Sequence, residues 1–119
     1  MSISGPHIRS EHWKSFDYTV PSGGVTAGDM DKIQDTVVVF AETKDEAEIV
    51  AAIYQADRIL VPKISGAAIV VGEKVYYNDY VNAVCADTTS GNTLCGRCVE
   101  AASATDSEVL IDFEGHLAA

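Results

Sequence analysis

The sequence predicts a single small all-β domain, and four observations carry that prediction. From Val61 to Glu100, Gly66, Gly72, the Asn78-Asp79 pair and Ser90-Gly91-Asn92 break the chain at intervals too short for ordinary helices. Between those breaks, Val75, Tyr76, Tyr77, Val81 and Val84 supply the β-branched and aromatic residues that suit a pleated surface. From Glu108 to Glu114 the chain alternates with period two: Val109, Ile111 and Phe113 fall on one side, Glu108, Asp112 and Glu114 on the other, with Leu110 the apolar exception. Finally, 119 residues of which 47% are hydrophobic suffice for one core that needs no disulfide or metal.

Met1 to Phe16 holds Gly5, Pro6 and polar residues between isolated apolar ones, with no sustained period, and reads as an arm preceding a body at 17–115. Trp13, the only tryptophan, and Phe16 either fold back over the open end of the body or anchor a neighbouring subunit. Phe16 to Val20 alternates as a strand, ended by Pro21-Ser22-Gly23-Gly24. Val25 to Ile33 and Val37 to Ala41 read as two more strands, with Gly28-Asp29 as the turn or bulge between them and the second apolar on both faces. Thr43 to Asp57 admits two readings. The Thr43-x-x-Glu46 spacing makes a capping box and the Ala and Glu content favours a helix, whereas Ile49, Ile53 and Tyr54 also fit a half-buried strand. Residues 116–119 read as a fraying tail.

Charge excludes some functions. Eight Lys plus Arg stand against eighteen Asp plus Glu, for a net −10, and residues 1–16 hold about +1 of it, leaving the body near −11. The remaining cations, at 32, 44, 58, 63, 74 and 97, are scattered, so no basic stripe exists to neutralise phosphates and no nucleic-acid partner is expected. No apolar run approaches the roughly 20 residues of a membrane span, and the first residues lack the apolar centre of a secretory signal. A soluble protein made in the cytoplasm, with no membrane partner, is expected.

Cys95-Gly96-Arg97-Cys98 has the spacing of a thiol-disulfide exchange motif, but it falls in a predicted strand without the helix N-terminus that lowers a thiol pKa. Residues three apart on a regular strand also point to opposite faces. Cys85, Cys95, Cys98 and His116 could supply four zinc ligands, yet their spacing matches no recognisable site. His7, His12 and His116 lie in the arm and tail, away from any nucleophile. Asp29, Asp31 and Asp35 lack the glycine and distal glutamate of a calcium loop, and no glycine loop for nucleotide phosphates is present. No catalytic residue, metal or cofactor is expected; the alternative is a small thiol-redox or zinc-binding protein using Cys95 and Cys98.

The order LVPK at 60–63, AIVVGEKVYY at 68–77, GNTLCGRC at 91–98 and VEAA at 99–102 resembles the capsid cement, or head-decoration, proteins of tailed bacteriophages. The likeness runs from about Tyr18 to Gly115 and is strongest after Ile59, leaving Met1 to Phe16 as an extension of this chain's own. Cys95, Cys98 and Arg97 depart from it, standing where the family carries aliphatic or small residues. Some members are labelled recombinases, a label without chemical support here. The resemblance implies a β-barrel or β-sandwich, and it turns the open window into a strand from Ala47 to Ala56. It also implies a non-enzymatic protein on the outer surface of the virion capsid that bridges major capsid subunits and stabilises the shell. Homotrimers are the expected state, since a closed ring leaves no interface unpaired. In that setting the arm, through Ile8, Arg9, His12, Trp13 and Phe16, is expected to make the partner contacts.

Overall fold

The computed structural model describes residues 13–87 and 92–115, which form eight antiparallel strands curled into a nearly closed barrel. They are β1 (Trp13–Thr19), β2 (Met30–Ile33), β3 (Thr36–Phe40), β4 (Ile49–Pro62), β5 (Lys74–Asn78), β6 (Ala83–Cys85), β7 (Thr93–Glu100) and β8 (Glu108–Glu114). The fourteen-residue β4 organises them. One of its edges carries β1 along residues 49–56; the other carries β3 at Ala52 and Ile53 and then β8 from Gln55 to Pro62. Beyond β8 the order continues through β7, β5 and β6, and a parallel bridge from Lys63 to Val84 brings β6 back to the end of β4. The second half of β4 therefore lies on the β8–β7–β5–β6 side of the barrel, called the barrel proper below, and its first half, with β1, β3 and β2, on the side called the wing.

The window at 43–57 is a strand, but it starts at Ile49 and runs to Pro62, past Ala56. Where a capping box was spelled, the chain makes a tight turn: Ala47 adopts φ 71°, Asp45 N donates to Glu48 Oε1 at 2.7 Å, and Thr43 Oγ1 accepts from Ala27 N at 3.0 Å. Helix propensity differs by less than about 1 kcal/mol per residue. Pairing with three strands and burial of Val50, Ala52, Ile53 and Ala56 outweigh it.

Three other boundaries move. Strand β1 begins at Trp13, inside the segment read as an arm. The expected strand from Val25 shrinks to Met30–Ile33, because Val25 makes only an isolated bridge to Lys44 and Gly28 turns ahead of β2. The β2–β3 hairpin turns instead at Gln34-Asp35, with Gln34 at φ 57°.

The barrel interior holds one apolar cluster that includes Ile53, Ile59, Val61, Val75, Tyr77, Ile111 and Phe113. A second cluster, Val20, Val38, Phe40, Val50 and Ala52, lies on the outer face of the wing beneath the partly buried Phe16, Tyr18, Val25, Ile33 and Tyr54. Lys63 is only 5% exposed, and its ammonium donates to the carbonyls of Ile64, Ala104 and Asp106 at 2.9, 3.5 and 3.2 Å. That charge-assisted fan ties the loop after β4 to the loop before β8.

Candidate functional site

Trp13 and Phe16 occupy opposite faces of β1. Trp13, opposite Ala56, packs half-buried against the barrel core. Phe16 points outward and stacks on Tyr54 with ring centroids 5.9 Å apart, and Tyr18 stacks on Phe40 at 6.2 Å. A register shift between Lys14 and Ser15 leaves Tyr54 as the extra residue of β4; two residues beyond Ala52, the partner of Phe16, its ring falls on the same face as Phe16. Ser15, Phe16, Thr36 and Tyr54 line a surface cleft of about 320 Å³. Ile8, Arg9 and His12 lie outside the described residues.

A second cleft of about 310 Å³ crosses the outer face of β5, β7 and β8, lined by Lys74, Leu94, Gly96, Arg97, Asp112 and Glu114. Lys74 pairs with Arg97 and Arg97 with Asp112 across successive strands, so the row is charged and exposed. Arg97 Nη1 donates to Gly72 O at 3.2 Å. Partial desolvation, then the neighbouring charges of Glu114 and Asp57, raise the Asp112 carboxyl above its ordinary range. Nothing in this row pairs a nucleophile with a base.

The cysteines face the core together, contrary to the expectation for residues three apart. Val75 pairs with Gly96 and Tyr76 with Leu94, so Cys95 is the extra residue of a bulge that shifts the alternation of β7 by one. Cys95 and Cys98 are both buried in the barrel cluster, and all three thiols are free. Burial, with a smaller contribution from Cys85, pushes the Cys95 thiol up to about 12, and burial also raises Cys98. Thiolate chemistry needs the opposite shift. Among the described residues no group of three or more His, Cys, Asp or Glu is placed to hold a metal, and His116 lies outside them.

Sequence reasoning missed the β5–β6 hairpin tip, Asp79 to Asn82. Val81, read as a strand residue, lies in the turn and is 57% exposed, and Tyr80 beside it is 97% exposed. The Asn78-Asp79 pair signalled a turn there; period-two patterning gave no sign that its apolar residues face solvent.

Every described buried polar side-chain atom has a partner, and the described interior holds a contiguous apolar cluster of buried side chains. Such an arrangement can bind by its surface. Neither the curated proteins nor the solved structures include a match to this chain. A family model described as phage cement protein matches residues 10–113, a span that starts ahead of the expected Tyr18 and takes in Trp13 and Phe16; with most of its length covered, the chain belongs to the phage cement protein family, a structural, non-enzymatic family whose role is to stabilise the virion capsid.

Proposed function

We propose that the protein binds the outer surface of the assembled shell and bridges neighbouring major capsid subunits, acting as a homotrimer that holds more than one subunit at once. The mechanism is linkage: a ligand that binds the shell and not its dissociated subunits stabilises the shell by mass action, and many copies multiply a modest gain per site. The observation that carries the reading is the aromatic cleft on β1, where Phe16 stacks on Tyr54 at the surface beside Ser15 and Thr36. Residues Ile8, Arg9 and His12, with Trp13 and Phe16, make the contact with the neighbouring subunit in this reading.

Because Trp13 and Phe16 belong to β1, the informative truncation removes residues 1–12 and leaves the strand whole. On capsids stripped of this protein, the truncated form is expected to bind more weakly at an unchanged melting temperature. Phe16→Ala is expected to weaken binding by on the order of 2 kcal/mol if the ring is an interface anchor. Full occupancy by both variants rejects the arm and the cleft as the contact. Sedimentation of the free protein as a monomer at micromolar concentration rejects the trimer.

A further inference from the structure

The hairpin tip joining β5 to β6 is built more firmly than its length requires. Asn82, at φ 52°, donates its backbone N–H to Asn78 O at 2.9 Å, and its Oδ1 accepts from the Tyr77 hydroxyl at 2.6 Å. Asn78 Oδ1 accepts from Tyr80 N at 2.8 Å while its Nδ2 donates to Asn92 Oδ1 at 3.0 Å, which ties the tip to the start of β7. Tyr77 is itself wholly buried in the barrel core, so the turn is bolted to the interior. These bonds explain the asparagines. They do not explain a tyrosine and a valine at the apex, where turn geometry calls for small or polar residues. One exposed apolar residue is ordinary, but two adjacent ones on a rigid apex form a preorganised knob that loses little freedom on docking.

The charge around the knob selects its partner. Asp79 lies in the tip and Asp31 close by on β2, near enough that both act on the Tyr77 hydroxyl. Lys32, the neighbouring cation on β2, directs its ammonium to Thr93 Oγ1 at 3.3 Å. With Asp79 and Asp31 beside it, the knob presents an acidic rim whose electrostatic complement is a basic one.

We infer that Tyr80 and Val81 insert into a shallow apolar pocket rimmed by Lys or Arg on a major capsid subunit, forming an attachment point separate from the start of β1. This rests on the capsid-binding reading above. The tyrosine ring fills the pocket, its hydroxyl remains at the polar rim, and Asp79 faces the basic side chains.

The test compares the full chain with Tyr80→Ser/Val81→Ser, Asp79→Asn and Val71→Ser on stripped capsids, reading occupancy against concentration at low and physiological salt. Val71 is a control because, with Val70 beside it, it forms another adjacent exposed apolar pair, at 65% and 59%, at the opposite end of β5 from the tip. The expected result is at least about tenfold weaker binding for the double variant. Asp79→Asn should lose affinity mainly at low salt, and Val71→Ser should match the parent, with all melting temperatures unchanged. Failure of the parent to bind rejects the capsid reading and this inference with it. Parent-like binding by the folded double variant overturns the inference alone. So does a double variant whose only change is a smaller sedimenting species, since the knob would then join copies of this chain.

Discussion

The barrel and the wing solve the same packing problem differently. In the barrel, β5 and β8 turn one face inward and one outward: Val75 and Tyr77 are buried between more exposed neighbours, as are Ile111 and Phe113 around Asp112. In the wing, Val37, Val38, Val39 and Phe40 are buried in succession, so β3 has no wet face beyond Thr36. Its inner residues join the barrel cluster, and its outer ones lie under Phe16, Tyr18 and Tyr54, which are themselves only half covered. The barrel closes on itself, whereas the wing is completed by a thin aromatic layer from its own edge. Stability is therefore expected to concentrate in the barrel, with the wing opening first.

The largest effect is expected where the two halves meet. Gly115 N donates to Tyr54 O at 2.7 Å and Gly115 O accepts from Val37 N at 2.9 Å, so the end of β8 is clamped between β4 and β3. A Cβ there would fall well inside contact distance of the Val37 carbonyl, which is backbone and cannot swing away. Gly115→Ala should cost about 4 kcal/mol or more, measured by urea unfolding, and should uncouple the wing so that aromatic fluorescence and far-UV signals no longer change together.

Core truncations should then rank the halves. Phe113→Ala empties a site inside the barrel and is expected to cost about 3–5 kcal/mol. Phe40→Ala, under the thinner layer, should cost less, about 2–3 kcal/mol, because Tyr18 can settle into the space. Equal losses would break the comparison. Phe16→Ala removes only half-buried area and the stack on Tyr54, for about 1–2 kcal/mol. Hydrogen exchange should locate that loss in β1 and β3, leaving β7 and β8 protected.

The same contrast governs what could be read from residues alone. Strand β8 was legible to the residue, because one wet face writes period two into the chain, and only Leu110 broke it, buried where it pairs with Leu60. Strand β3 is covered on two sides, yet its unbroken apolar run marked it as a strand apolar on both faces; in β4 alternation vanishes along the wing as well, and Thr43 to Glu46 imitates a helix start where the chain turns. Bulges leave no trace either. One extra residue at Cys95 reverses which face Cys98 takes, and another at Tyr54 brings Ala56 opposite Trp13 on the core side. Of the site, the sequence pointed to Trp13 and Phe16 but could not assign them to opposite faces of one strand; the exposed apex at Tyr80 follows from hydrogen bonds among asparagines distant from any period.

The smallest effect tests the wet face of the barrel. The raised carboxyl of Asp112 means that the native state holds this proton more tightly than the unfolded chain does. Between the ordinary carboxylate range and the raised value, the folded form therefore binds more protons, and stability falls as pH rises through that window. Above it the charged Asp112 remains a standing liability, although solvent at this exposed position keeps it small. Asp112→Asn should accordingly raise the melting temperature slightly at neutral pH and lose that advantage as pH drops below the ordinary carboxylate range. Arg97, paired opposite on β7, works against this gain, because the asparagine also gives up its attraction. Destabilisation by Asp112→Asn at neutral pH would show that the cross-strand pair outweighs the crowding of Asp112 by Glu114 and Asp57, and would make the charged row a contributor to barrel closure.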